Sequence, residues 1–148
     1  MEVQKDFKEL LALFNAHNVQ YLIVGGYALA YYGAPRYTGD IDIFVKSDSK
    51  NASLILKALN DFGFGSAGLK LEDFTNPENI VQLGYPPIRV DIMTSISGVS
   101  WEDAYISREE GKYGDIPVYF IGLDQYVQNK KASGRKKDLA DLEALGKE

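Results

Sequence analysis

The residues with the most chemistry in this chain are two carboxylates two positions apart, Asp40 and Asp42, in the run Asp40-Ile41-Asp42-Ile43-Phe44-Val45. Alternating polar and apolar residues predict a strand, whose side chains two apart project from one face. Asp40 and Asp42 then stand close together, and such a pair repels unless cations bind between its members. Asp91 lies between Val90 and Ile92 in a later apolar run, so its carboxylate leaves on the face opposite its core-directed neighbours. It is a natural third ligand, or a strand acid paired with Arg89 on the same face. Three carboxylates with no histidine or cysteine beside them select Mg²⁺ or Mn²⁺ over zinc. Two such ions clamp the attacking and leaving oxygens of a phosphoryl displacement, and the chemistry implied is nucleotidyl transfer. In that scheme Asp40 and Asp42 bridge the ions and hold the nucleotide phosphates. Asp91 holds the ion nearer the acceptor hydroxyl and helps its deprotonation.

Upstream, the apolar run Tyr21-Leu22-Ile23-Val24 stops at Gly25-Gly26. A strand running into a helix through glycines allows close backbone approach and leaves the first helical amides free for an anion, which suits a phosphate. Taken alone such a pair is more often a turn than a phosphate cradle, and it is the company of Asp40, Asp42 and Asp91 that favours the phosphate. Arg36 either neutralises a nucleotide phosphate through its fork of donors or pairs with Asp40 or Asp42. Thr38 orients Asp40, touches a phosphate, or forms the turn before the strand.

The elements that must position these residues are legible from periodicity. Phe7, Leu10, Leu11 and Phe14, three and four apart, predict an amphipathic helix over Val3–Asn15, with His17 at its end. Tyr21–Val24 reads as a buried strand, Tyr27–Tyr32 as a short helix closed by Gly33-Ala34-Pro35, and Asp40–Val45 as the acidic strand. Ile55, Leu59 and Phe62 predict a second amphipathic helix from Ser49 or Lys50 to Gly63. Periodicity is weak from Gly65 to Asn79. Ile80–Leu83 and Ile88–Met93 then read as a hairpin across Gly84-Tyr85-Pro86-Pro87. Ser100-Trp101-Glu102-Asp103 opens a short helix, Ile116–Ile121 is a strand, and Leu123–Leu145 is helical with a break at Ser133-Gly134. Interleaved helices and strands predict an α/β (α+β) fold with a mixed sheet of about four or five strands. The expected organisation is one domain over residues 1–148, with 123–148 a C-terminal helical segment. Tyr27, Tyr31 and Tyr32 are expected in the core, whereas Tyr37 and Tyr85 lie in turns. Lys130, Lys131, Arg135, Lys136 and Lys137 are expected on a solvated helix end.

Composition narrows the classes. The chain has 148 residues, 45% of them hydrophobic and 25% charged, as in a soluble globular domain. Zero cysteines exclude a disulfide framework, a thiol nucleophile and a thiolate zinc site, and one histidine excludes histidine clusters. No apolar run is long enough for a membrane span, and the first residues do not read as a signal peptide, so the expected location is the cytoplasm. A net charge of −5 argues against coating a long polyanion but is compatible with a small phosphate ligand held locally with metal.

The spacing of Gly25-Gly26, Arg36, Thr38, Asp40, Asp42 and then a lone strand Asp91 resembles the nucleotidyltransferase superfamily that includes DNA polymerase beta. It is most similar to its small members related to abortive-infection and toxin–antitoxin nucleotidyltransferases. The segment Ala132-Ser133-Gly134-Arg135-Lys136-Lys137-Asp138-Leu139-Ala140-Asp141-Leu142 resembles their closing helix, so the likeness runs along nearly the whole chain. Tyr27 and Gly39 stand where many members carry serine. The resemblance implies a magnesium-dependent, ATP-binding type of enzyme that takes a nucleoside triphosphate and leaves pyrophosphate. The acceptor is open between a protein and a tRNA, and its recognition is expected from a second copy in a homodimer or from a partner chain. The alternative is a catalytically silent nucleotide-binding or antitoxin-like interaction protein on the same fold, distinguished by the absence of metal-dependent pyrophosphate release.

Overall fold

A computed structural model of the protein describes residues 3–34, 39–85 and 88–148. The first amphipathic pattern forms α1 (Lys5–Ala16), which buries Phe7, Leu10, Leu11 and Phe14, with His17 at its C-cap. β1 (Tyr21–Val24) runs directly into α2 (Gly25–Tyr31), and β2 (Asp40–Val45) carries the paired acids. α3 (Ser49–Leu59) starts where the Asp48 side chain accepts from the Asn51 amide, and helical turns continue over Asn60–Phe64 until Gly63 breaks them at φ 110°. α4 (Leu71–Thr75) precedes the antiparallel pair β3 (Ile80–Tyr85) and β4 (Ile88–Met93). α5 (Trp101–Ile106), β5 (Glu109–Tyr113), β6 (Ile116–Phe120), α6 (Leu123–Ser133) and α7 (Lys136–Ala144) complete the chain. The α6–α7 break falls at Gly134, which takes the left-handed conformation that glycine adopts without penalty.

The sheet has six strands in the order β3-β4-β2-β1-β6-β5. It is mixed: β1 with β6 and β2 with β4 are parallel, while the other neighbours are antiparallel. The expectation of four or five strands is therefore short by at least one, and the strand it lacks is β5. Its sequence Glu-Glu-Gly-Lys-Tyr has no apolar alternation because β5 is an edge strand with exposed charges, which blunt that edge. α4 falls in the stretch of weak periodicity, since a five-residue helix is too short to display a period. The core is one cluster of α1, β1, β2, α3 and β6 side chains, including the fully buried Tyr21, Phe44 and Phe120. No helix among the described residues is long and apolar enough to cross a membrane.

Candidate active site

β2 and β4 bring the acids together because they pair parallel, with Asp40 beside Arg89 and Asp42 beside Asp91. Ile41, Ile43, Val90 and Ile92 are buried on the other face, so the apolar half of each strand anchors the polar half by the alternation of a pleated sheet. The Asp91 side chain is only 11% exposed and that of Asp40 34% exposed. Arg89 lies between them: Nε donates to Asp91 Oδ1 at 2.9 Å, and Nη2 donates to Asp91 Oδ2 at 3.1 Å and to Asp40 Oδ2 at 2.8 Å. The Arg89–Asp91 ion pair expected of a structural strand acid is thus present and extends to Asp40. Asp42 bears the electrostatic load of the cluster. Burial pushes its carboxyl up to about 6, and the charges of Asp91 and then Asp40 add to that shift.

The glycine pair stands where the sequence puts it, at the entry of α2 from a buried strand. Gly25 has φ +66°, and a Cβ built there would overlap the Asp42 carboxylate. Here the missing side chain makes room for the acid as well as for a left-handed turn. Gly26 is buried one residue further on. Arg36, Tyr37 and Thr38 lie outside the described residues. Tyr27 is in the core and Tyr31 stacks on Phe120 with ring centroids 4.1 Å apart. The Tyr32 hydroxyl donates to the Ile121 carbonyl at 2.7 Å, which ties α2 to the end of β6. Tyr85 is 87% exposed at the tip of the β3–β4 pair.

Lys131, Arg135, Lys136 and Lys137 are exposed, as expected of a solvated helix end, and Lys130 is the exception. Lys130 and Tyr126, four apart, are the buried side chains of α6. The Lys130 ammonium donates to Asp138 Oδ1 at 3.1 Å and lies 3.7 Å from Asp141 Oδ2. Arg135 closes on the same acid, with Nε 2.8 Å from Asp138 Oδ2. Asp138 has no exposed surface. Burial works against its charge, but hydrogen bonds from Arg135, Ser133 and Lys130 outweigh it and hold the carboxyl well below the usual range. These bases are also coupled by charge to the acidic strands: Lys130 and Lys137 oppose the upward shift of Asp42, and the charge of Asp42 helps hold Arg135 protonated. Sequence reasoning left Lys130 outside the site. The signal that locates it is a lysine in helical register with an apolar residue, followed by two acids three apart on the apolar side of the next helix.

Three carboxylates presented from adjacent strands are a hard oxygen donor set of the kind Mg²⁺ or Mn²⁺ takes. Among the described residues no three His, Cys, Asp or Glu side chains stand ready as a ligand group, and the Arg89 guanidinium meanwhile holds Asp40 and Asp91. The donor chemistry fits a divalent ion, with an arginine in a cation's place.

Against known families, residues 10–109 match the family described as nucleotidyl transferase AbiEii toxin of a type IV toxin–antitoxin system. Among solved structures, a Thermotoga maritima protein assigned as a nucleotidyltransferase superposes with a TM-score of 0.64 at 17% identity, over 93% of this chain and 88% of that one. The lincosamide antibiotic adenylyltransferase LnuA, solved with lincomycin bound, gives a TM-score of 0.57 at 16% identity over 99% and 98% of the two chains. A nucleotidyltransferase-like antigenic protein of Paracoccidioides brasiliensis gives 0.56 at 18% identity, over 98% of this chain and 76% of that one. At such identities these likenesses concern the fold. Among curated proteins none matches.

Proposed function

Because this chain belongs to the AbiEii nucleotidyl transferase family, we propose that it moves a nucleoside monophosphate from a nucleoside triphosphate, ATP among the candidates, to a hydroxyl acceptor as the toxin of a toxin–antitoxin pair. The observation that carries the reading is the register of β2 and β4, which sets Asp42 beside Asp91 with Asp40 one step along the same face. Asp40 and Asp42 are the residues to hold a divalent ion on the triphosphate, and Asp91 the one to complete the site on the acceptor side. A bound Mg²⁺ or Mn²⁺ supplies neutralisation of the phosphate oxygens and a lowered pKa for the attacking hydroxyl. Lys137 and Arg135, exposed bases whose charges couple to Asp42, are cations for the triphosphate's negative charge, whereas Lys130 is engaged by Asp138 and Asp141. The acceptor oxygen bonds to the α-phosphorus, the bond to the bridging oxygen of the β-phosphate breaks, and pyrophosphate leaves. The acceptor's proton passes to the Asp91 carboxylate.

The first test is a thermal-shift screen of the four ribonucleoside triphosphates with and without Mn²⁺, followed by pyrophosphate release with tRNA or protein as acceptor. Triphosphate at 100 times its dissociation constant adds about 2.7 kcal/mol to stability. The expected result is a shift that needs metal and disappears in the Asp40→Asn, Asp42→Asn double variant. A shift unchanged in that variant would refute the assignment. Metal-dependent binding without pyrophosphate release from any acceptor would identify a silent nucleotide-binding protein.

A further inference from the structure

We infer that Arg89 is the site's resident cation, and that a divalent ion enters only by displacing its guanidinium from Asp40 and Asp91. The inference rests on the metal-dependent reading above and concerns what governs the ion's entry. A single nitrogen, Nη2, lies within hydrogen-bond distance of carboxylates on two neighbouring strands, 2.8 Å from Asp40 and 3.1 Å from Asp91. A shared metal ion would occupy the same kind of position, between oxygens contributed by β2 and β4. The parallel register arranges Asp40, Arg89, Asp42 and Asp91 as a block of four on one face, three negative and one positive. The block retains a negative excess that attracts a divalent ion, yet the oxygens that ion needs are already engaged. Guanidinium and metal cannot share them, because like charges at contact distance repel and the ion must shed hydration to bind.

The fold also gives the guanidinium somewhere to go. On the far side of Arg89, β3 places Gly84 as its strand partner, so the residue paired with the arginine there carries no side chain. The Arg89 side chain is already 27% exposed. A swing over Gly84 toward solvent frees Asp40 and Asp91 together without moving either strand. Free metal ion therefore competes poorly with the arginine, whereas an ion carried on a triphosphate brings the phosphate contacts of the basic residues along with it. Metal and nucleotide are then expected to bind as a unit, and the nucleotide-free protein to be metal-poor.

The test is a Mn²⁺ titration of the nucleotide-free full chain, followed by the paramagnetic resonance of free Mn²⁺, on wild type, Arg89→Gln, Arg89→Lys and Arg135→Gln. Removing the arginine fork should tighten Mn²⁺ binding at least tenfold in Arg89→Gln. A lysine holds two carboxylates less well than a bidentate fork, so Arg89→Lys should fall between and carries the test if Arg89→Gln does not fold. Arg135→Gln, which removes a different cation whose charge couples to Asp42, should change Mn²⁺ binding less than threefold. Equal tightening in Arg135→Gln and Arg89→Gln would reduce the effect to net charge and overturn the role of Arg89. So would unchanged or weaker Mn²⁺ binding in both Arg89 variants while wild type still binds triphosphate with Mn²⁺. Loss of Mn²⁺-dependent triphosphate binding in wild type itself would instead remove the metal reading.

Discussion

At the junction of α6 and α7, two acids meet two bases: Asp138 and Asp141 surround the Lys130 ammonium, and Arg135 caps Asp138 from outside. On β2 and β4, three acids meet one base, with Arg89 spread over Asp40 and Asp91. The first cluster is balanced and buried, and its acid Asp138 is held ionised. The second carries excess negative charge, and its member Asp42 is pushed toward the protonated form. Buried ions that are matched and hydrogen-bonded fix the arrangement of helices. Carboxylates left in excess beside an open face are in a state that an incoming cation relieves. The difference separates a structural clasp from a site awaiting ligand, although the same residue types build both.

Breaking the clasp should have the largest effect on stability. Asp138→Ala leaves Lys130 buried beside Asp141 alone, and removing one partner of a buried pair typically costs about 3–5 kcal/mol. Urea unfolding at neutral pH should show that loss. A change below about 1 kcal/mol would mean that Lys130 finds water or another acid, and that the two clusters are alike after all.

The acidic cluster should respond in the opposite direction. With its carboxyl pushed up to about 6 from an ordinary 3.8, folded Asp42 retains a proton that the unfolded chain has lost between those values. The folded state then binds more protons, so this residue's contribution to stability declines as pH rises from about 4 to about 6 and stays low above that. At about 1.4 kcal/mol per pH unit the full difference is about 3 kcal/mol, an upper bound. Asp42→Asn should therefore stabilise the ligand-free protein at pH 8 by up to that amount, with the gain fading toward pH 4. Melting temperatures of both proteins across that range give the check, and a variant less stable than wild type at pH 8 contradicts the electrostatic account.

Much of this contrast was legible in the sequence, but not all of it. The alternation in Asp40–Val45 and the isolated acid in Arg89–Met93 placed the carboxylates on strand faces, because a period of two needs only local residues. The two glycines marked the strand-to-helix entry for the same reason. That Arg89 reaches Asp40, 49 positions away, depends on the parallel register of β2 with β4, and no local pattern encodes a register between distant strands. Lys130 was hidden for another reason: in a run of Lys and Arg residues, only three-dimensional placement shows which one turns inward. The charged edge strand β5 lacked the apolar alternation by which strands are recognised.

A smaller effect tests how tightly the acidic cluster is packed against α2. Gly25→Ala forces a side chain into a left-handed backbone position, at about 1–2 kcal/mol, and pushes its Cβ against the Asp42 carboxylate. Stability should fall by that amount, and metal-dependent triphosphate binding should weaken with it because Asp42 is displaced. If stability falls while triphosphate binding does not change, Asp42 tolerates the shift and the glycine serves the turn alone.

The smallest stability change is expected at Arg135, the residue that joins the two clusters. Its side chain is 60% exposed although its ion-pair partner is fully buried, so solvent screens the pair, and exposed pairs contribute about 0.2–1 kcal/mol. In Arg135→Gln, Asp138 keeps its hydrogen bond from Lys130, and the clasp should hold with a loss of no more than about 1 kcal/mol. The same guanidinium is coupled by charge to Asp42, so an exposed base at this position is better placed to meet a triphosphate than to support the fold. Triphosphate affinity in the presence of Mn²⁺ should fall several-fold, a loss out of proportion to the change in stability, and calorimetric titration beside urea unfolding measures the two together. If instead Arg135→Gln unfolds the protein as readily as Asp138→Ala while triphosphate affinity is retained in the folded fraction, Arg135 belongs wholly to the clasp, and the boundary between the two clusters runs between α6–α7 and the acidic strands.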